Sequence, residues 1–285
     1  MEITVGGSPY GITCDADGNA WTTLIHSGRV ARVTRTGEVT SFDLGAPESG
    51  PAVIVAAPGG GAWFTRSRDH QIGFVSAEGD VSAFPLAGPV GPFGIACAGD
   101  GAVWFTEMAG NAVGRLAPDG SVTEFPLPVP GAFPSMICEG TGGEFRVTLN
   151  AANALAGVTA DGEATVHPLP TAAAGPVGIT SDSEGTVWFA EFLAGQIGRL
   201  SADGLITEFP LPDRAAKPHA IVADPAGGCF FTEWAANRVG HVSPDGEFRH
   251  WALPTPGAEP HGIALAGDGA VWVALEAGSV VRLEV

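Results

Sequence analysis

The amino-acid sequence is built from seven copies of one unit, and this repetition constrains the fold more than any other feature. Each copy begins with a Pro-x-(Gly or small)-Ile pattern, and successive copies start 41 or 42 residues apart. The starting prolines are Pro9, Pro51, Pro92, Pro134, Pro176, Pro218 and Pro260. A period of this length is typical of repeat architectures, in which each copy is one supersecondary unit that packs on its neighbours.

Each unit contains four short segments of β type, which we call strands A to D. An aromatic residue follows the starting proline by eleven or twelve positions and marks strand B: Trp21, Trp63, Trp104, Phe145, Trp188, Phe230 and Trp272. Asp-Gly pairs such as Asp17-Gly18 lie between A and B, and others such as Asp119-Gly120 lie between C and D. We expect both residues of each pair to adopt positive φ in a tight hairpin.

Four-stranded units repeated around an axis form a β-propeller. The last unit ends after its third strand, and the N-terminal segment Glu2-Ile3-Thr4-Val5 is available as the missing fourth strand. Pairing of the two chain ends would close the ring and protect an open sheet edge. We therefore predict an all-β, seven-bladed β-propeller with four-stranded blades, formed by residues 1–285 as a single domain.

Composition excludes several classes of partner. The chain has 13 Lys and Arg against 31 Asp and Glu, a formal charge of −18, which argues against nucleic acid and against an anionic membrane surface. It has no transmembrane run and no signal-peptide pattern at its N-terminus, so we predict a cytoplasmic protein. The four cysteines (Cys14, Cys97, Cys138 and Cys229) lack metal-ligand spacing, and we expect free thiols.

The polarity of the units predicts where a site would lie. The A–B and C–D connections are tight turns on one face of the ring, whereas the longer D–A and B–C connections share the opposite face. We call the latter the loop face. Because functional residues concentrate on loops that a rigid scaffold positions, we expect the site there.

The repeats provide an internal control, because a residue that the fold requires should recur in every unit. The position after the starting proline holds Tyr10, Ala52, Phe93, Ser135, Val177, His219 and His261. The position before it holds Ser8, Gly50, Gly91, Phe133, Gly175, Lys217 and Glu259. The position four after the aromatic marker holds Ile25, Ser67, Met108, Leu149, Phe192, Trp234 and Glu276.

The polar deviations in these columns fall in units 1, 6 and 7, which are neighbours in a closed ring. We predict that they converge beside an apolar wall; the polar groups are Tyr10, His219, Glu259, His261 and Glu276, and the wall is Met108, Leu149, Phe192 and Trp234. An apolar pocket with few polar groups is typical of a small-molecule site. The remaining histidines (His26, His70, His167, His241 and His250) converge with nothing in this pattern, and we interpret the recurring Glu107, Glu191 and Glu233 as structural.

The residue types in this cluster favour one kind of chemistry. The carboxylates of Glu259 and Glu276 suit a hard cation such as Mg²⁺, which needs few protein ligands and polarises carbonyl oxygens. His261 is the natural general base, since its ordinary pKa lies near neutral pH. No serine or cysteine nucleophile motif is present, so proton abstraction next to a carbonyl is favoured over acyl transfer.

Several local motifs resemble the virginiamycin B lyase family, also called streptogramin B lyases. They are Ser8-Pro9-Tyr10-Gly11-Ile12, Lys217-Pro218-His219-Ala220-Ile221, Glu259-Pro260-His261-Gly262-Ile263 and Trp272-Val273-Ala274-Leu275-Glu276. The resemblance implies a monomeric seven-bladed propeller that inactivates streptogramin B antibiotics. These small molecules are cyclic depsipeptides, and the family opens them by Mg²⁺-dependent elimination of the ester to a threonine side chain.

The resemblance also implies roles for individual residues. His261 would remove the threonyl α-proton, and Glu259 and Glu276 would hold Mg²⁺. His219 would contact the substrate, and Tyr10 would line the catalytic site. Further substrate contacts are expected from the wall residues Met108, Phe192 and Trp234.

Two other functions are compatible with a propeller. A metal-dependent lactonase would hydrolyse its substrate, and we expect its metal ligands to come from several blades near the axis. The acids of the deviating columns instead lie in unit 7. A non-catalytic propeller of the NHL type would bind peptide or protein, and it would leave the histidine and glutamate cluster without a purpose.

Overall fold

The computed structural model describes residues 1–285 as seven antiparallel sheets of four strands each. The first strand of every sheet packs against the first strand of the next, and the seventh returns to the first, so that the ring is closed. The predicted seven-bladed β-propeller is confirmed. No helix in the structure has the length and apolar character needed to span a membrane.

The strands follow the chain in blade order. Blade 1 contains β2 (Pro9–Cys14), β3 (Ala20–Leu24), β4 (Arg29–Val33) and β5 (Val39–Asp43). Blade 2 contains β6 (Pro51–Ala56), β7 (Ala62–Arg66), β8 (Gln71–Val75) and β9 (Val81–Pro85). Blade 3 contains β10 (Pro92–Cys97), β11 (Val103–Glu107), β12 (Ala112–Leu116) and β13 (Val122–Pro126). Blade 4 contains β14 (Pro134–Glu139), a short 3₁₀ turn (Thr141–Gly143), β15 (Phe145–Leu149), β16 (Ala154–Val158) and β17 (Ala164–Pro168).

The remaining three blades follow the same order. Blade 5 contains β18 (Pro176–Ser181), β19 (Val187–Glu191), β20 (Gln196–Leu200) and β21 (Ile206–Pro210). Blade 6 contains β22 (Pro218–Ala223), β23 (Cys229–Glu233), β24 (Arg238–Val242) and β25 (Phe248–Ala252). Blade 7 contains β26 (Pro260–Leu265), β27 (Val271–Leu275), β28 (Ser279–Leu283) and, from the other end of the chain, β1 (Glu2–Thr4).

Blade 7 closes the ring as predicted. Strand β1 pairs antiparallel with β28, and Glu2 lies opposite Val281. The Glu2 carboxylate accepts hydrogen bonds from Ser279 Oγ at 2.6 Å and from Thr255 Oγ1 at 2.8 Å. Side-chain contacts therefore reinforce the main-chain pairing that joins the two ends of the chain.

The core lies between adjacent blades. The second strand is buried along its whole length in five of the seven blades, as in β11 and β19. In blades 1 and 3 the tryptophan of this strand stacks on a phenylalanine of the fourth strand, with ring centroids 5.4 Å apart in both Trp21–Phe42 and Trp104–Phe125. Large buried rings of this kind contribute much of the apolar area that stabilises a β fold.

Threonines of the second strands tie neighbouring blades together. Thr106 Oγ1 donates to the carbonyl of Ser135 in the next blade at 2.6 Å, and Thr232 Oγ1 donates to the carbonyl of His261 at 2.9 Å. Thr23, Thr65 and Thr148 make equivalent bonds. Each bond fixes the start of the neighbouring first strand, and these starts lie on the loop face.

The Asp-Gly turns differ from the expected geometry. Gly18 adopts φ +78°, but Asp17 is absent from the residues with positive φ. The Gly18 amide donates to the carbonyl of Asp15 at 2.9 Å, and the Asp15 amide donates to the carbonyl of Asn19 at 3.0 Å. The loop is therefore a type I turn followed by a left-handed glycine, which needs positive φ at one residue only. The expectation of two positive φ values was wrong.

The aromatic marker assigned to unit 4 is out of register by one residue. Phe145 lies eleven positions after Pro134, whereas every other marker lies twelve after its proline. Arg146 pairs with Cys138 across the sheet, at the position where blade 3 has Trp104. The prediction that Phe145 occupies the marker column was therefore wrong, and Arg146 occupies it.

This shift changes which residues of blade 4 face the site. Side chains alternate between the two faces of a strand, so a one-residue error exchanges them. Phe145 packs on Trp104 of the preceding blade, with ring centroids 4.5 Å apart, and Leu149 is fully buried in the core. The predicted wall position of Leu149 was wrong, because Asn150 is the residue that corresponds to Met108.

Three glutamates at the ends of second strands are buried, in keeping with the structural role assigned to them. Glu233 pairs with Arg238, and Glu191 accepts a hydrogen bond from Gln196 at 2.6 Å. Glu107 has a buried oxygen, Oε1, that makes no hydrogen bond. Burial, reinforced by the nearby charge of Glu124, raises the pKa of Glu107 to about 7.

We expect Glu107→Gln to raise the free energy of unfolding at pH 8 by roughly 1 to 3 kcal/mol. The pKa of Glu107 is about 7 in the fold, above its ordinary value, so the folded state binds the proton more tightly than the unfolded chain. Ionisation therefore destabilises the fold progressively as pH rises from about 4.5 to 7 and costs its full amount above 7. Urea unfolding at pH 4 and pH 8 measures the difference.

Glu124→Gln is the matched control, because it removes only the neighbouring charge and should give a smaller gain at pH 8. At pH 4 the wild type and Glu107→Gln should have similar stability. A gain that is equal at both pH values would contradict the ionisation argument.

Candidate active site

Three aromatic side chains from adjacent blades meet on the loop face. Tyr10, His219 and His261 each occupy the second position of a first strand, in blades 1, 6 and 7. The ring centroid of His261 lies 4.5 Å from that of Tyr10 and 5.0 Å from that of His219. The structure thus brings together the three residues that the first column of the repeat singled out.

A carboxylate holds one nitrogen of His261. Glu276 lies just beyond the end of β27, and its Oε2 is 2.6 Å from Nε2 of His261. An ionised carboxylate only accepts, so the imidazole proton resides on Nε2 and the lone pair on Nδ1. Nδ1 is buried and makes no hydrogen bond. Burial lowers the pKa of His261 although Glu276 opposes the shift, which favours the neutral imidazole that a general base requires.

Two residues extend this arrangement beyond blade 7. His26 Nε2 lies 3.3 Å from Glu276 Oε1, and Arg68 Nη2 lies 3.1 Å from His26 Nδ1. Because Arg68 donates, His26 Nδ1 accepts, and Nε2–H is left to donate to Glu276. The interpretation that His26 converges with nothing was wrong. His26 lies one position beyond a column of the repeat, in the blade next to blade 7, and that adjacency was the available signal.

The other two rings are neutral at physiological pH. Burial and the charge of Glu276 raise the pKa of Tyr10 to about 12, so the phenol keeps its proton and can donate it in a hydrogen bond. Burial and the neighbouring His261 lower the pKa of His219 to about 3. His219 Nδ1 is also buried without a partner. The site therefore offers these uncharged polar groups to a ligand beside the carboxylates of Glu259 and Glu276.

A cavity of about 310 Å³ lies along the ring axis next to these residues. Tyr10 and His219 line one side of it, and Phe93, Phe133 and Met136 line the side formed by blades 3 and 4. Most of its lining is apolar. An apolar cavity with a small number of polar groups at one side is the usual form of a small-molecule site.

The predicted apolar wall is only partly placed in this cavity. Met108 lines it, but Phe192 and Trp234 lie outside the lining. Phe192 packs edge-on against His219, with centroids 6.0 Å apart. Lys217 Nζ lies 5.0 Å from the Phe192 ring centre and 5.8 Å from that of Trp234. These aromatic residues therefore border the polar cluster on the blade 6 side.

Glu259 and Glu276 occupy adjacent backbone positions. The Glu276 amide donates to the carbonyl of Glu259 at 3.2 Å. Glu259 is exposed, and its charge lies close enough to His261 to act on the pKa of that ring. The main chain therefore places these two glutamates side by side next to the polar cluster.

The sequence model of the virginiamycin B lyase family matches residues 1–283. The chain belongs to this family. The resemblance of the local motifs is thereby confirmed. A streptogramin B lyase structure is 35% identical and superimposes with a TM-score of 0.95, covering 99% of this chain and 97% of that one. Virginiamycin B lyase from Staphylococcus aureus is 33% identical with a TM-score of 0.95, covering 100% of this chain and 98% of that one.

A further structure of the Staphylococcus aureus enzyme, a catalytically inactive histidine-to-alanine variant, contains quinupristin. Its similarity to this chain is the same, at 33% identity and a TM-score of 0.95. Virginiamycin B lyase from Mycolicibacterium smegmatis is 46% identical over 53 residues. That match spans only 19% of this chain and 18% of the relative.

Two carboxylates at the site are donors of the type that magnesium accepts. No group of three or more His, Cys, Asp or Glu side chains is arranged to hold a metal. Mg²⁺, however, is commonly bound through one or two carboxylates, with waters and substrate completing its shell. Glu259 and Glu276 provide two such carboxylates. Each oxygen of Glu276 that accepts from a histidine keeps a second lone pair, so those hydrogen bonds leave it able to bind a cation.

Proposed function

We propose that this protein is a carbon–oxygen lyase that linearises streptogramin B-type cyclic depsipeptides by eliminating the ester to the threonine side chain. The observation that carries this proposal is the hydrogen bond between His261 and Glu276, which holds the imidazole next to Tyr10 and His219 at one side of an apolar cavity. We further propose that the enzyme acts as a monomer in the cytoplasm on this small-molecule substrate.

The cavity limits how the substrate binds. A macrocyclic depsipeptide is too large for a volume of about 310 Å³, so its ring lies across the mouth while apolar side chains enter the cavity. Tyr10 donates a hydrogen bond to the substrate from one side, and His219 contacts it from another. Both groups are uncharged, which limits the cost of removing water from the bound complex.

The reaction proceeds by removal of a proton and loss of a carboxylate. The imidazole of His261 accepts the α-proton of the threonyl residue. The electrons of the Cα–H bond form a Cα=Cβ double bond, and the Cβ–O bond breaks with departure of the ester carboxylate. No atoms are added, so the linear product has the mass of the substrate. Glu276 stabilises the imidazolium that forms in this step.

Glu259 and Glu276 would hold the magnesium ion. Bound there, Mg²⁺ would polarise the carbonyl next to the α-carbon and make the α-proton more acidic. This role complements His261. A neutral imidazole is a weak base, and it removes an α-proton rapidly only when polarisation of the neighbouring carbonyl makes that proton more acidic. Glu276 serves both groups, since it contacts His261 and lies beside Glu259.

We expect quinupristin, the streptogramin present with the Staphylococcus aureus variant, to be converted to a product of unchanged mass that contains a dehydro residue. Chelation of divalent cations should reduce the rate at least 100-fold, and Mg²⁺ should restore it. Mass spectrometry with and without chelator makes the measurement. A product heavier by one water would contradict elimination and favour the lactonase.

A further inference from the structure

One backbone position in the repeat is strained in some blades and relaxed in others. The residue before each starting proline has a φ between +52° and +61° in blades 2 to 7. Glycine occupies it in blades 2, 3 and 5, whereas Phe133, Lys217 and Glu259 occupy it in blades 4, 6 and 7. Glycine adopts this left-handed conformation readily, but a bulky side chain does so at a cost.

Strain that persists where glycine would relieve it points to a use for the side chain. Glu259 is the proposed metal ligand, and Lys217 lies against the rings of Phe192 and Trp234. The side chain of Phe133 has no such role in the fold. It is 45% exposed, and it stacks on no other aromatic ring.

The position of Phe133 indicates what it contacts. Its ring lines the axial cavity, and its exposure places it at the mouth. Blade 4 is one of the two blades farthest from blade 7 in a ring of seven, so Phe133 lies across the ring from the blade that carries His261. Its carbonyl accepts a hydrogen bond from the Asn150 amide at 3.1 Å, which fixes the backbone beneath the ring.

We propose that Phe133 is a specificity-determining residue that packs against an aromatic or other apolar side chain of the depsipeptide. The inference rests on the proposed function, because the scissile ester at His261 determines which part of the macrocycle reaches blade 4. An exposed ring held over an apolar cavity gains contact area only when a ligand covers it. The backbone strain at Phe133 is thus retained for binding and not for folding.

Two substitutions separate binding from strain. Phe133→Gly and Phe133→Ala both remove the ring, and we expect each to raise KM for quinupristin roughly tenfold with kcat unchanged. Only Phe133→Gly also relieves the left-handed backbone, so Tm should rise by about 1 to 3 °C in that variant and not in Phe133→Ala. A ring needed for folding would give the opposite result, a fall in Tm in both variants.

Leu193→Ala is the matched control. Leu193 is 65% exposed, belongs to a loop-face turn of blade 5 and does not line the cavity. The KM of the Leu193→Ala variant should therefore equal that of the wild type. An unchanged KM in both Phe133 variants, with normal turnover by the wild type, would overturn this inference and leave the proposed function intact. A lower Tm in Phe133→Gly would also overturn it. Failure of the wild type to convert quinupristin would instead overturn the proposed function. The proposed contact between Phe133 and the substrate would then be overturned as well.

Discussion

Replacement of His261 by alanine is expected to reduce turnover of quinupristin by roughly 10²- to 10⁴-fold, the usual contribution of a general base. Among Tyr10, His219 and His261, only the imidazole of His261 is held in place by a carboxylate. The substrate should still bind, since the cavity and Tyr10 remain. Single-turnover assays measure the chemical step, and isothermal titration calorimetry with quinupristin measures binding.

His167→Ala is the control for that experiment. His167 lies in β17, the outer strand of blade 4, far from the polar cluster. Its replacement should leave both turnover and binding at the level of the wild type. Normal turnover in His261→Ala would overturn the proposed mechanism, and loss of binding as well as turnover would show that His261 acts mainly in holding the substrate.

Replacement of Glu276 by glutamine is expected to have the second-largest effect, a loss of roughly 10²- to 10³-fold in kcat. The amide cannot accept hydrogen bonds at both of its terminal atoms, so either the His261 or the His26 contact is lost. The ring of His261 is then free to rotate or to place its proton on Nδ1. His26→Ala should give a smaller loss, of about tenfold, because it acts only through Glu276.

Glu259→Gln separates the two tasks of the acidic pair. Both glutamine variants should bind Mg²⁺ more weakly by calorimetry, but only Glu276→Gln also disturbs His261. High Mg²⁺ should therefore restore the kcat of Glu259→Gln and leave that of Glu276→Gln low. Equal restoration of the two variants would show that Glu276 acts through the metal alone.

The sequence was sufficient for the architecture because the period of the repeat depends on strand length and turn length, which are local properties. Strand register depends on single residues. Phe145 lies one residue before the marker position of blade 4, and a spacing of eleven or twelve residues allowed it to be assigned to that position. Side chains alternate between the two faces of a strand. The one-residue error therefore assigned Leu149, and not Asn150, to the position that faces the site. A spacing of twelve residues from the starting proline, applied to unit 4 as in the other units, places Arg146 in the marker column.

The site was predicted where the repeat columns sample it and missed where they do not. Tyr10 and His261 stood out because the column they share holds Ala, Phe, Ser and Val in blades 2 to 5. His26 and Arg68 lie beside a column and reach Glu276 through long side chains, whose direction no spacing rule gives. Phe133 was inside a column, but as an apolar residue it resembled packing. The three glycines of that column were the signal, since they indicate a backbone that disfavours phenylalanine.

Closure of the ring has a consequence for synthesis on the ribosome. Residues of β1 are made before those of the other 27 strands, and they wait without a partner until β28 has been made. Blade 7 is the only blade that needs both, and it also carries His261 and Glu276. A nascent or proteolytically shortened chain that lacks either strand therefore has an unpaired edge on the blade that carries the candidate site. The blade that carries the candidate site is thus completed last, and loss of β1 or β28 should disturb that site first.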